Sequence, residues 1–346
     1  MAPAFVKTPL LEHTFNCAVN SFCHSTPRFF LKYEFLQPSG SFKSRGIGNL
    51  IFKQAKLIKA QGQKIPYVFA SSGGNAGLAA ATACKMLSIP CSVVVPNTTN
   101  PRMVEKIRRF GAKIEMYGKH WKEADAHLRE NVMTKMDTSV YESIYAHPFD
   151  HPLIWEGHAT MVDEIFATLK EKQVSPEKVK AIVCSIGGGG LYNGIIEGLK
   201  KLNLEKRIPI VGVETNGCQV LSHSLKSGVQ LEFENITSIA TSIGTNSISK
   251  KTYDNATQYF IRSVVLSDAE VIESCLRFAD DTNIITEPAC GAALHLAYRH
   301  DILSKALQAP FSSDDVVIII GCGGSATSYD DIKSHWARMS TDLNVL

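Results

Sequence analysis

The run "VVIIIG" at Val316–Gly321 constrains this chain more than any other segment. Its five consecutive β-branched residues present no polar side to water, so a strand built from them must be covered on both faces. Strands of that kind belong to parallel sheets flanked by helices. The pattern recurs along the chain. "YVFASSGGNAGLAAATACKML" reads as a short apolar strand, a turn of small residues and an alanine-rich helix. "CSVVVP" and "KIEMYG" read as strands, separated by a helix over "NPRMVEKIRRFGA" that Gly111 ends. "VKAIVCSIGGGGLYNGIIEGLKKL" repeats strand, turn and helix, with Ile195, Ile196, Leu199 and Leu202 on one helical face. "IPIVGVE" is a further strand, and "SDAEVIESCLRFADD" opens with a capping box, Ser267 with Glu270 three residues on. The expected fold class is therefore α/β, with open, twisted, mostly parallel sheets flanked by helices.

Composition excludes several function classes. The 346 residues carry a net charge of +3, with basic residues spread along the chain, which leaves no footprint for nucleic acid. "KIRRFGAK" and "GLKKLNLEKR" read as the wet faces of helices. The nine cysteines form no C-x-x-C pair and sit mostly in apolar runs, as small buried residues of a reducing compartment. No apolar run approaches the ~20 residues that span a bilayer. The N-terminus "MAPAFVKTPLLEH" has no signal-peptide core and is not a convincing transit peptide. The expected location is cytoplasmic, with mitochondrial as the alternative.

In parallel sheets, ligands bind at the carboxyl ends of the strands. Here those ends carry "SSGGNAG", "GGGGL" and "GCGGSA". Gly187, Gly188, Gly189 and Gly190 lack Cβ atoms, so their N–H groups can approach one anion, and the helix that follows adds its positive end. A phosphate is the natural guest. The Walker pattern is absent, since Leu191 and Tyr192 stand where Lys and Ser/Thr belong. A dinucleotide reading rests on "GGGGLYNG" with Glu214 at the end of the next strand, but it leaves Lys43 and two glycine turns unexplained. Ser72 and the N–H groups of Gly73, Gly74 and Ala76 can converge on a carboxylate; Asn75 can join them or cap the helix as an Asx turn, and both readings stand. Cys322 reads equally as a small core residue. Lys43, set among small residues in "QPSGSFKSRGIGN", loses solvation in a cleft, which frees its amine as a nucleophile. A phosphate cradle, a carboxylate cradle and a reactive lysine together fit pyridoxal 5′-phosphate bound covalently, with an amino acid as substrate.

"SGSFKSRG", "SSGGNAG", "GGGGL", "EPACGAA" and "GCGGS" together resemble the pyridoxal-phosphate enzymes of the tryptophan-synthase-β fold, fold type II. Within them the chain is most similar to the short L-serine/L-threonine dehydratases, from "KTPLL" near residue 7 to at least Ser325. "TPLL" so near Met1 leaves little room for a removable presequence. The resemblance implies that Lys43 carries the cofactor and that Phe42 packs on its ring. Asn75 would bond the ring hydroxyl, Gly187 through Leu191 would hold the phosphate, and Cys322 would face the pyridine nitrogen. Ser72, Gly73, Asn75 and Ala76 would hold the substrate carboxylate, and Glu214 would ligate a monovalent cation such as K+. It implies two interleaved lobes: residues 38–147 as the smaller, residues 1–37 and 148–346 as the larger, cofactor-binding one. It also implies a homodimer, amino-acid catabolism, and release of pyruvate or 2-oxobutyrate with ammonia. A thiol at Cys322, in place of an acid, would leave the nitrogen neutral and favour elimination.

Two departures bear on rate and control. Many fast dehydratases have alanine where Gly73 sits, which points to lower turnover here. The chain stops without a C-terminal regulatory domain, so inhibition by isoleucine is not expected. Serine racemase is the nearest rival, followed by β-replacement enzymes; an NAD-dependent dehydrogenase and a non-catalytic sensor are the rivals from other classes. In "HPFDHP", His147, Asp150 and His151 hint at a metal, but Pro148 and Pro152 break the helix that their spacing requires, so the segment reads as a loop bordering the active site. His158 and His295 read as satisfied structural residues.

Overall fold

The computed structural model describes residues 3–15, 25–62 and 64–343. Its strands are β1 (Leu10–His13), β2 (Arg28–Tyr33), β3 (Ile65–Ala70), β4 (Cys91–Val95), β5 (Lys113–Met116), β6 (Tyr141–Ala146), β7 (Val179–Ser185), β8 (Ile210–Thr215), β9 (Ile261–Leu266) and β10 (Val316–Gly321). They form two sheets. One has the order β1-β2-β10-β7-β8-β9, the other β5-β4-β3-β6. Every pairing is parallel except β1 with β2. The all-apolar runs occupy the middle: β10 and β8 are buried along their whole length, whereas edge strand β5 is mostly exposed. This is the α/β architecture expected of strands that are apolar on both sides.

The chain divides into two compact units. The smaller comprises the segment ending at Val6 together with Gln37–His158; the larger comprises Lys7–Leu36 and Ala159–Leu346. The smaller unit thus differs from the expected 38–147 at both ends. At its start, the Gln37 side chain bonds the Val6 N–H at 3.0 Å and the Val6 carbonyl at 2.8 Å. The Arg45 guanidinium also lies 5.7 Å from the Phe5 ring centre. At its end, Asn49 donates to the Leu153 carbonyl at 2.7 Å and Lys53 pairs with Glu156 at 2.5 Å. Those contacts tie residues 148–158 to the helix Lys43–Gln61.

Local signals explain the helix boundaries. Gly111, with φ +87°, lies just beyond the helix Pro101–Arg109. The helix Gly190–Lys201 buries Ile195, Ile196 and Leu199, but Leu202 lies past its end and is 37% exposed. Ser267 and Glu270 make both bonds of the capping box. Ser267→Ala is expected to lower stability by about 1 kcal/mol, read as the shift in urea midpoint. Basic residues at the first predicted wet face, Arg108 and Arg109, are exposed and pair with Glu105. The seven cysteines among the described residues are free and buried; Cys17 and Cys23 lie outside them. No helix among the described residues is long and apolar enough to cross a membrane.

Candidate active site

In the smaller unit, Lys43 is the first residue of the helix Lys43–Gln61. Gly40, with φ +78°, turns the chain so that its N–H bonds the Gln37 carbonyl at 2.7 Å. Ser44 Oγ then accepts from the Ser39 N–H at 3.1 Å and pairs with Ser39 Oγ at 2.8 Å. The small residues around the lysine therefore brace a tight loop. The Lys43 ammonium donates to the Pro148 carbonyl at 2.6 Å and lies 5.3 Å from the Phe42 ring centre. The buried Ser41 hydroxyl has no hydrogen-bond partner.

Phe42 packs on His158, with ring centres 4.9 Å apart. His158 is fully buried and neither ring nitrogen has a hydrogen-bond partner, so it is not the satisfied residue expected from the sequence. Burial, and then the charges of Lys43 and Arg45, push its pKa well below the usual value and keep the ring neutral. The ring fits because Gly46 and Gly157 let two helices approach closely. A Cβ on Gly46 would lie 2.5 Å from the His158 ring and 2.7 Å from Ile154. Gly46→Ala should therefore cost about 1–3 kcal/mol of stability, read by chemical denaturation.

The segment "SSGGNAG" follows β3 and opens the helix Asn75–Leu87, which packs against the helix that begins at Lys43. Asn75 is buried at the first helical position, and the preceding Gly74 is the N-cap. Asn75 therefore stands inside the helix rather than at its cap position. Ser72 Oγ accepts from the Gly74 N–H at 3.2 Å. Gly77 lets the turn close, because a Cβ there would lie 1.8 Å from the Ser72 carbonyl oxygen. A Cβ on Gly73 would meet Thr99 at 2.5 Å, so alanine at this position requires Thr99 to turn away. Lys43, Phe42, Ser72, Gly73, Asn75 and Ala76 all belong to this unit.

The larger unit holds the other predicted residues. Gly187–Leu191 follow β7, and Cys322 follows β10. These strands are parallel neighbours, so both turns leave the same end of the sheet. Gly189 has φ +90°, and a Cβ on it would lie 1.9 Å from Thr252 Oγ1. A Cβ on Gly187 would lie 3.0 Å from the Ile243 backbone. The loop carbonyls face inward: that of Gly188 accepts from the Ser249 N–H and the Thr252 hydroxyl, each at 3.1 Å. The Gly189 carbonyl accepts from the Asn193 N–H at 2.8 Å. The first N–H groups of the helix Gly190–Lys201 have no acceptor within the helix and remain available to an anion. Behind the loop, Asn193 donates to Thr252 at 3.0 Å and receives a bond from Asn255 at 3.0 Å. Sequence reasoning missed this buried scaffold; the capping serine in "SISKK" was its available signal.

Cys322 is buried, and its thiol pKa is raised well above the usual value by a hydrogen bond with Cys290 and by burial. The thiol is therefore neutral. Gly324 admits Glu287, since a Cβ there would lie 1.7 Å from the Glu287 carboxyl carbon. "EPACGAA" thus brings Glu287 and Cys290 to the turn that holds Cys322, two residues that the sequence reading left without a role.

Glu214, at the end of β8, is 1% exposed. Its two oxygens accept the N–H groups of Leu221 and Ser222, each at 2.8 Å, where the helix Val220–Ser227 begins. Burial pushes its pKa up to about 7. The geometry gives Glu214 a helix-capping role, and a cation there would have to share its remaining lone pairs. It also removes Glu214 as a ribose ligand, and the dinucleotide reading with it. In "HPFDHP", His147 Nδ1 accepts the N–H groups of Phe149 and Asp150 at 3.2 and 2.8 Å. His151 Nδ1 accepts that of Leu153 at 3.1 Å. These bonds order a loop, and among the described residues no group of three or more His, Cys, Asp or Glu could hold a metal. His295 pairs with Ser274 at 2.8 Å.

The family model described as "Pyridoxal-phosphate dependent enzyme" matches residues 3–323. The chain is 57% identical over 333 residues to the catabolic L-serine/threonine dehydratase of Saccharomyces cerevisiae, covering 96% of this chain and 91% of that protein. It is 35% identical over 329 residues to an L-serine dehydratase of Dictyostelium discoideum, covering 94% of this chain and 90% of that protein. Its structure resembles an L-serine ammonia-lyase from Rhizomucor miehei, with a TM-score of 0.81, 31% identity and 98% of each chain covered.

Proposed function

Because the chain belongs to the family of pyridoxal-phosphate dependent enzymes, we propose that it deaminates L-serine and L-threonine by β-elimination, releasing pyruvate or 2-oxobutyrate and ammonia. The observation that carries this reading is the near full-length likeness to the S. cerevisiae dehydratase. The residues present fit the cofactor. Ile243 and Thr252 pack so closely on the glycine loop that Gly187 and Gly189 have no room for a Cβ, and the N–H groups at the start of the helix, which have no acceptor within it, suit a phosphate. Lys43 provides an amine on a rigid helix start.

When bound, pyridoxal phosphate supplies an electron sink for charge at the substrate's α-carbon. Lys43 is the attachment point; once released, its amine is the base that takes the α-proton. Its bond to the Pro148 carbonyl and the Phe42–His158 stack hold it in place. Ser72, Gly73, Asn75 and Ala76 bind the substrate carboxylate at a helix start, where the dipole favours an anion. Gly187 through Leu191 would hold the phosphate. Cys322 would face the ring nitrogen, and its neutral thiol would offer that nitrogen no negative charge, a setting that would favour loss of the β-hydroxyl over racemisation. The test is incubation with each L-amino acid while 2-oxo acid and D-serine are both measured. Predominantly 2-oxo acid is expected; predominantly D-serine would replace this reading with the racemase.

A further inference from the structure

A pocket of about 470 Å³ opens within the smaller unit, lined by Trp121, Lys122, Asp125, Arg129, Tyr145 and His147. It lies at the carboxyl end of the smaller sheet, since Ser71 follows β3, Tyr145 is in β6 and His147 follows it. This is the rim that also carries Ser72–Ala76. The pocket is built. Asp125, 5% exposed, accepts from Ser71 Oγ at 2.7 Å, Tyr145 at 2.5 Å and Arg129 at 2.9 Å. Trp121 Nε1 donates to Ser71 Oγ at 3.1 Å. The wall is thereby tied to the residue next to Ser72.

His147 links the pocket to the lysine. Pro148, whose carbonyl accepts from Lys43, is its chain neighbour. Two backbone N–H groups point at Nδ1, so the ring proton sits on Nε2. The ring packs edge-on to Trp121 with centres 5.8 Å apart. Burial, opposed by Asp125 and assisted by the Lys43 charge, pushes its pKa down to about 4, so at neutral pH it is a neutral N–H donor rather than an acid.

We propose that this pocket receives the substrate's β-substituent, with His147 Nε2–H donating to the β-oxygen, and that it admits 3-hydroxy amino acids larger than threonine. The volume supports the second clause: it falls in the range of ordinary ligand sites and far exceeds a hydroxymethyl group. The wall supports the first: beside the charged Lys122, Asp125 and Arg129, of which Arg129 bonds Asp125, it offers the neutral N–H of His147 next to Trp121 and Tyr145, which suits one oxygen on a short alkyl chain. This inference rests on the deaminase reading and names its substrate class.

The test compares the holoenzyme's kcat/KM for L-serine, L-threonine and the threonine homologue with ethyl in place of methyl. Turnover of the homologue within about tenfold of threonine is expected, because an added methylene in a fitting pocket shifts discrimination by about that much. Serine turnover without detectable homologue turnover overturns the pocket; absent serine turnover overturns the deaminase reading instead. His147→Leu should raise KM for threonine about tenfold, while inhibition by 2-aminobutyrate, which lacks the β-oxygen, stays unchanged. His147→Gln, which retains an N–H donor, should recover part of that loss. Equal weakening of threonine and 2-aminobutyrate by His147→Leu, or no recovery with glutamine, contradicts the hydrogen bond.

Discussion

Lys43→Ala lowers kcat/KM for L-serine by at least about ten-thousand-fold, because one substitution removes both the attachment point and the base. The fold should tolerate it. Lys43 stands at the start of its helix and its ammonium donates to the Pro148 carbonyl, a bond whose loss costs about 1 kcal/mol of stability. Lys43→Arg keeps the positive charge and does not rescue turnover, since a guanidinium stays protonated and cannot accept the α-proton. Steady-state assay of 2-oxo acid, with an unfolding curve for each variant, separates the chemical loss from a structural one. Alanine and arginine variants retaining a tenth of the activity would remove the lysine from the chemistry.

Gly189→Ala weakens cofactor binding by at least about a hundredfold. The backbone there is left-handed, which costs an L-residue about 1 kcal/mol. The new methyl also collides with Thr252, at 1.9 Å. Thr252 cannot swing aside cheaply, because its hydroxyl bonds the Gly188 carbonyl and pairs with Ser249 and Asn193. The loop moves instead, and its N–H groups lose their common focus. Gly228→Ala is the matched control: φ is +72°, and nothing lies within 4 Å of the added carbon. It should cost a similar backbone term and leave cofactor affinity unchanged. Titration of each apoprotein with pyridoxal phosphate, followed by absorbance, reads the difference directly.

The parts of the molecule legible in the sequence are those where a residue type answers a local need. A run such as "VVIIIG" fits only a strand buried on both faces, and a glycine with left-handed φ needs no knowledge of its surroundings to stand out. Strands β1, β2, β6 and β9 were less visible. Strand β2 contains Lys32, which reads as solvent-facing yet is wholly buried against Glu164 at 2.5 Å. Strand β6, "YESIYA", alternates with an exposed Glu142 and lacks the apolar run of a central strand. In the site, Lys43 and the glycine loop announced themselves. Glu287 and Cys290 beside Cys322 did not, because tertiary folding alone brings them there. His158 was misjudged for a related reason. Its burial depends on two glycines, Gly46 and Gly157, whose close approach has no signature on the histidine itself.

Borohydride reduction of the cofactor-loaded protein, followed by digestion and peptide mapping, tests the central claim most directly. A pyridoxyl group fixed on the peptide containing Lys43, and a loop variant at Gly189 that takes up far less of it, is the predicted result. A label on any other lysine, or no label on protein that turns over serine, would contradict it.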